Sequence, residues 1–360
     1  MGNFHKILYL TVITFFLMGT MVYANEPAKE VEKQEEINVK ELILEHLADS
    51  YMWHVTKMGE HDVVIPLPVI VYSSTSGWHV FLSSVLHGGE QYEGFKIAEE
   101  GNNKGKIVEI VNGQEIKPFD ISITKVSFTL IMSSILLILI VMSVARSYKK
   151  DPLSARKGFY GFMEMFIMNI NDDVIKPCVG KDYKKFAPYL LTVFFFIFLN
   201  NLLGLIPFFP GGANVTGNIA VTFVLAVCTF IIVNLFGTKE YWREIFWPEV
   251  PLWLKIPIPL MPAIELVGVF TKPFALMIRL FANILAGHSI VLGLTCLVFV
   301  TVKLGVAMNA SMSIVSVLFS VFISLVELLV AYIQAYVFTM LSAVFIGLAR
   351  VEPHHSHKHD

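Results

Sequence analysis

This 360-residue chain is short of charge: Asp, Glu, Lys and Arg make up 16% of it, whereas 55% of its residues are hydrophobic. A water-soluble surface needs roughly a quarter charged residues, so a soluble enzyme, a broad basic nucleic-acid-binding face and a disordered chain are excluded, and a membrane protein is indicated. The scarcity is uneven. From Ile256 to Ala349, five charges (Glu265, Lys272, Arg279, Lys303 and Glu327) serve 94 positions. Cysteine is rarer still, with three in the chain. Cys178, Cys228 and Cys296 are too scattered for a metal site, and residues 25–122 contain none, so disulfides do not brace that segment. No glycine-rich phosphate loop with Lys and Ser or Thr occurs, so no nucleotide or other cofactor is expected.

What is present divides along the chain. Lys6, the apolar run Ile7 to Val22 and the small residues around Ala24 read as a signal peptide, residues 1–24, cleaved after Ala24; an uncleaved first helix is the alternative, though the run is short for a span. Residues 25–122 carry 17 Asp or Glu against 8 Lys and no Arg, a net of −9, and belong in water. Glu26 to His46 has helix-favouring composition. Val63 to Val71 and Trp78 to Leu86 have strand composition, with turns at Asn102-Asn103 and Asn112-Gly113, so a small α+β or strand-rich cap is expected. His46, His54, His61, His79 and His87 show no ligand spacing and read as surface histidines.

Beyond the cap the sequence predicts an all-α polytopic membrane domain over residues 123–350. About five spans are expected, near 123–145, 186–207, 218–236, 260–304 and 311–349. The loop Arg146 to Lys185 holds 9 Lys or Arg against 5 Asp or Glu, so the positive-inside rule makes it cytoplasmic and the cap periplasmic, in a bacterial inner membrane. Gly237 to Pro259 reads as an aromatic interfacial loop. The last two tracts are too long for perpendicular spans and read as a tilted helical hairpin turning near Gly305 to Asn309 on the cap side. The cytoplasmic tail 351–360, with His354, His355, His357 and His359, reads as a solvated low-complexity end.

Ionisable residues at membrane depth mark functional paths by default. Glu265, Lys272 and Arg279 are spaced by seven and share one helical stripe, with Asn283 a turn beyond Arg279. Glu265 and Lys272 are expected to snorkel to the cytoplasmic interface. Arg279 cannot shed its proton and requires an anionic visitor, expected from another subunit. On the next helix Ser313, Ser320, Glu327 and Gln334 also recur every seven residues. His288 and Glu327 lie about equally far from the turn, which predicts matched depth; imidazole titrates near neutrality and burial raises a carboxyl toward that range, so such a pair can relay a proton.

Lys272-Pro273-Phe274-Ala275-Leu276-Met277-Ile278-Arg279-Leu280-Phe281-Ala282-Asn283, followed by Ala286-Gly287-His288, resembles the signature of the subunit a family of F-type ATP synthases. Gln334-Ala335-Tyr336-Val337-Phe338, with Glu327 seven residues earlier, is similar to that family's last helix, and Phe198 to Pro207 resembles an earlier span. The likeness runs from about Phe119 to Arg350; the cap is longer than the family leads one to expect, and nothing transfers to it. The resemblance implies a non-catalytic, proton-conducting stator that forms two offset half-channels against a rotating c-ring. Its partners would be the c subunits, the peripheral-stalk b subunits, the rest of the synthase and membrane lipids, with no nucleic acid. It also implies that Arg279 attracts the ring's carboxylate and blocks direct leakage, with Gln334 and Asn283 nearby. Some members have Glu at the place of His288 and His at that of Glu327, so the relay would be retained with its members exchanged. Asn201, Glu265 and Ser320 are weaker site residues. H⁺ rather than Na⁺ is expected because His288 and Glu327 suit proton relay. The competing reading is a stand-alone ion-coupled secondary transporter, which typically has repeated halves; none is visible here.

Overall fold

A computed structural model describes residues 48–58, 61–98, 101–111, 114–150, 157–206, 211–247 and 260–350, all within one compact unit. The expected signal peptide, the helix at Glu26 to His46, the Asn112-Gly113 turn, the 248–259 part of the aromatic loop and the His-rich tail lie outside the described residues, as do the side chains of His54, His61 and His87.

The cap is built from short antiparallel strands: β1 (Met52–Met58) with β2 (His61–Pro66); β4 (Gly77–Leu82), β3 (Pro68–Ser73) and β8 (Phe119–Asp120) in that order; and β5 (Phe95–Ile97), β6 (Ile107–Val111) and β7 (Gln114–Ile116). Alternation along β3 sends Val69, Val71 and Ser73 inward, where the two valines join Tyr51, Phe81, Leu86, Phe95 and Ile107 in a core. The expected strand at 63–71 is divided at Leu67, and the one at 78–86 stops at Leu82 because a 3₁₀ turn, Ser83–Gly89, follows. Tyr51 donates to Asp120 Oδ2 at 2.5 Å; burial, with that carboxylate beside it, pushes its hydroxyl well above the usual tyrosine range.

Helix α1 (Lys125–Lys150) starts directly under the cap. Its first amides are met by the cap itself: Lys125 N donates to Ser50 O (2.8 Å) and Val126 N to Asp49 Oδ1 (3.1 Å). The rest of the membrane domain is α2 (Phe159–Asn169), α3 (Lys176–Val179), α4 (Tyr183–Leu205), α5 (Ile219–Leu235), α6 (Lys239–Phe246), α7 (Leu260–Thr301) and α8 (Val306–Ala349). Among the described residues four helical stretches are long and apolar enough to cross a membrane, or five when α5 is taken with α6, which bends from it by 101°.

Two expectations are corrected. Arg146 to Lys185 is not simply a loop, because α2, a π-helical turn (Ile170–Ile175) and α3 lie within it. Phe166 explains why: its ring stacks on Phe198 at 5.9 Å, lies 6.4 Å from Phe194 and meets Tyr332 edge-on at 5.8 Å, so an aromatic cluster holds α2 to α4 and α8 despite the surrounding charge. The hairpin turn is also tighter than Gly305 to Asn309. After the 3₁₀ turn Val302–Leu304, Gly305 alone reverses the chain at φ +103°, and α8 begins at Val306 rather than residue 311.

Helices α7 and α8 have 42 and 44 residues, about 63 and 66 Å at 1.5 Å per residue, roughly twice the hydrocarbon thickness. α8 packs on α7 and α4, and α7 on α5. Buried residues one or two turns apart make the seam: Leu190, Phe194 and Ile197 on α4, Leu276, Leu280 and Ile284 on α7, and Ala335, Phe338 and Ile346 on α8. The two ends of the bundle are distinct. On the cap side, Trp53 of β1 packs with Ala213 and Val215 from the α4–α5 loop and with Phe128 of α1. At the other end, Arg350 pairs with Asp182 and donates to Phe236 O (3.3 Å), while Thr238 N donates to Ala349 O (2.9 Å), which ties together the start of α4, the α5–α6 corner and the end of α8.

Candidate functional site

Glu327 projects from the middle of α8 toward α7 and is only 6% exposed. It can do so because α7 has glycine opposite: a Cβ on Gly287 would stand 2.9 Å from Glu327 Oε1 and 3.2 Å from Cδ. The neighbouring His288 presents Nδ1 to Oε1 at 2.9 Å. Among the described residues no donor is aimed at Oε1 with hydrogen-bonding geometry, so this is a short polar contact rather than an aligned hydrogen bond. His288 Nε2 lies on the opposite side, 3.5 Å from where a Cβ of Gly204 on α4 would stand. The two titratable groups predicted at matched depth are thus brought together, walled by α4.

One step further from the cap, Asn283 Nδ2 donates to Gln334 Oε1 at 2.9 Å, bridging α7 and α8. Gln334 is 3% exposed and its Nε2 has no partner among the described residues, which leaves a buried donor unmet there. Arg279, a turn beyond Asn283, is exposed on the hairpin's outer face and has no hydrogen-bond or charged partner among the described residues. Glu327 does not neutralise it. By helical rise, Arg279 is about 6 Å from the level of Asn283 and about 13 Å from that of His288. Lys272 continues the stripe, with its Nζ 5.9 Å over the Phe345 ring, and Glu265 acts electrostatically on Tyr241 of α6.

Ser320 is half-buried and its backbone oxygen accepts from Ser324 Oγ (2.8 Å); it joins neither polar pair. Asn201 is placed more tellingly. Its Nδ2 donates to Ala331 O (3.1 Å) on α8, one turn past Glu327, and its Oδ1 accepts from Thr216 Oγ1 (2.6 Å). Asn200, adjacent in sequence, only bonds back to Phe196 O in its own helix and leaves Oδ1 unmet. Thr216 carries no sequence pattern that would have singled it out, and Gly287 entered only as a member of the Ala286-Gly287-His288 string. In the cap, His79 is held by Glu93 (2.5 Å) and Ser76 (2.8 Å) in an exposed cluster.

Residues 127–347 match the family described as ATP synthase A chain, a stretch containing every one of these membrane residues. The chain belongs to that family. Among relatives of the ATP synthase A chain, a protein named ATP synthase subunit a 2 from Chlorobaculum tepidum is 46% identical over 256 residues, covering 68% of this chain and 67% of the relative. ATP synthase subunit a of Chloroherpeton thalassium is 40% identical over 247 residues (67% of this chain, 70% of the relative), and that of Myxococcus xanthus 39% over 250 residues (67% and 78%). The cap matches separately: residues 42–125 correspond to a domain of unknown function. The ATP synthase A chain match thus begins just inside α1, where the cap's own match ends.

Proposed function

We propose that this chain is the proton-conducting stator subunit of an F-type ATP synthase, with the cap periplasmic and Arg350 cytoplasmic in a bacterial inner membrane. The observation that carries the reading is the polar ladder on the α7–α8 hairpin: a buried His288–Glu327 pair, the Asn283–Gln334 bridge, and an exposed arginine without a partner among the described residues.

In this account a proton enters from the cap side and is taken up at His288–Glu327, where a base and a carboxyl touch in a buried seam. It leaves the chain for a ring carboxylate that passes along the outer face of α7 and α8. Arg279 holds that carboxylate ionised as it crosses between the entry and exit paths, and its permanent charge stops a proton from passing straight through. Gln334 Nε2 and the Asn283 side chain hold the arginine's neighbourhood polar without adding charge. The exit path runs toward Lys272, Glu265 and Tyr241 at the other end of the bundle. Each proton driven by 100 mV supplies about 2.3 kcal/mol, so several crossings must be coupled to each ATP made on partner subunits, and a stator that leaked would dissipate them.

The test is Glu327→Gln in the assembled complex. The expected result is slower ATP-driven proton pumping in inverted vesicles with an altered pH profile and normal assembly. An unchanged rate and profile would remove the pair from the path.

A further inference from the structure

The cap is connected to the His288–Glu327 pair by a continuous series of contacts. Trp53 of β1 is 3% exposed and is seated on Ala213 and Val215, which are themselves buried; its ring meets Phe128 edge-on at 6.0 Å, and Lys125 Nζ lies 5.7 Å from the ring centre. The next loop residue, Thr216, is fully enclosed and donates to Asn201 Oδ1 at 2.6 Å. Asn201 spends its other amide group on Ala331 O at 3.1 Å, on the turn of α8 that follows Glu327. One turn along α4, a Cβ on Gly204 would stand 3.5 Å from His288 Nε2 and 3.7 Å from Ala213 O, so the same loop also reaches the histidine's wall.

We propose that the cap is a positioning element for proton entry. Trp53 fixes the 213–216 loop, and Thr216, acting through Asn201, sets the rotation and height of α8 at which Glu327 meets His288. The proposal rests on the reading that this pair carries protons, and it gives the cap a task in that reading. The physical reason for the chain of command is that Asn201 is 3% exposed and both ends of its amide are used. Without the Thr216 hydroxyl, Oδ1 becomes a buried acceptor with nothing to accept, and the amide must turn to find a donor, releasing Ala331 O. α8 then loses its lateral pin beside Glu327. Trp53 and Thr216 thus act on the pair by position, through the 213–216 loop and Asn201.

The experiment uses the assembled synthase in inverted membrane vesicles, with Thr216→Val and Trp53→Ala compared to Thr216→Ser and Trp53→Phe. Thr216→Val keeps the side-chain shape and removes only the hydroxyl. The expected result is a displaced pH profile and a roughly three- to tenfold slower pumping rate in Thr216→Val and Trp53→Ala, with assembly retained, and recovery in Thr216→Ser and Trp53→Phe. Wild-type profiles in both Thr216→Val and Trp53→Ala overturn the proposal; so does equal loss of assembly in both, which would make the contact purely architectural. If Glu327→Gln alters the profile while Thr216→Val and Trp53→Ala do not, the positioning idea fails and the role of the pair stands. If Glu327→Gln also leaves it unaltered, the pair itself is wrongly assigned.

Discussion

Gly287→Ala places one methyl group against the Glu327 carboxylate. The added Cβ would lie 2.9 Å from Oε1, 3.2 Å from Cδ and 3.3 Å from Cγ, whereas ordinary contact begins at 3.4 Å, so the oxygen must retreat by about 0.5 Å. A retreat directed away from His288 would lengthen the 2.9 Å Nδ1–Oε1 approach to about 3.4 Å. With an effective dielectric of about 20, that loosening weakens the attraction by about 0.8 kcal/mol in the state where His288 carries the proton and Glu327 is ionised, close to fourfold if it appears wholly in the transfer barrier. The helix itself should not suffer, since alanine is favoured over glycine in a helix interior by roughly 0.5–1 kcal/mol. The assay is the initial rate of ATP-driven acidification of inverted vesicles across a pH series, alongside the amount of assembled complex. Slower pumping with normal assembly is expected, and Glu327→Asp in the same chain, which withdraws the carboxylate by one methylene, should recover part of the rate. A Gly287→Ala chain that pumps at the wild-type rate and pH profile would refute the reasoning, because the close approach would then have no bearing on transfer.

The adjacent asparagines on α4 should behave oppositely. Asn201→Leu removes two buried hydrogen bonds and is expected to destabilise the bundle by about 2–4 kcal/mol, whereas Asn200→Leu removes one bond within its own helix and an acceptor that is already unmet, with an effect near zero; thermal stability of the two variants in detergent checks both. In the cap, Tyr51 is held neutral above the ordinary tyrosine range, so it contributes stability fully below about pH 10 and progressively less as pH rises through its folded-state value. Tyr51→Phe should lose the hydrogen bond to Asp120 at neutral pH and flatten the alkaline fall in stability, measured by hydrogen exchange of β3 and β8; an equally steep fall would contradict that origin.

The sequence showed the ladder because its members sit at intervals with physical meaning. Seven-residue spacing put Glu265, Lys272 and Arg279 on one stripe and Glu327 and Gln334 on another, and about equal distance from the turn expected at Gly305 to Asn309 matched His288 to Glu327; they meet although the chain reverses at Gly305 itself. Other features depend on contacts that no interval encodes. Thr216 is important only because a loop folds its hydroxyl onto Asn201, and Gly287 only because a carboxylate approaches it from another helix. The helices inside the basic 146–185 stretch were hidden by their charges, since the aromatic cluster of Phe166, Phe194, Phe198 and Tyr332 that holds them draws on three separate segments. Arg279 was legible as a charge at membrane depth, while its exposure depends on which sides of α7 are taken by α5 and α8.

That exposure makes Arg279→Ala the most direct test. An exposed side chain without partners contributes little to folding, within about 0.5 kcal/mol, so the variant should assemble normally. If Arg279 holds the visiting carboxylate and separates the entry and exit paths, ATP-driven proton pumping by the assembled complex in inverted vesicles should fall to background. Pumping at the wild-type rate in fully assembled Arg279→Ala complexes would contradict the account.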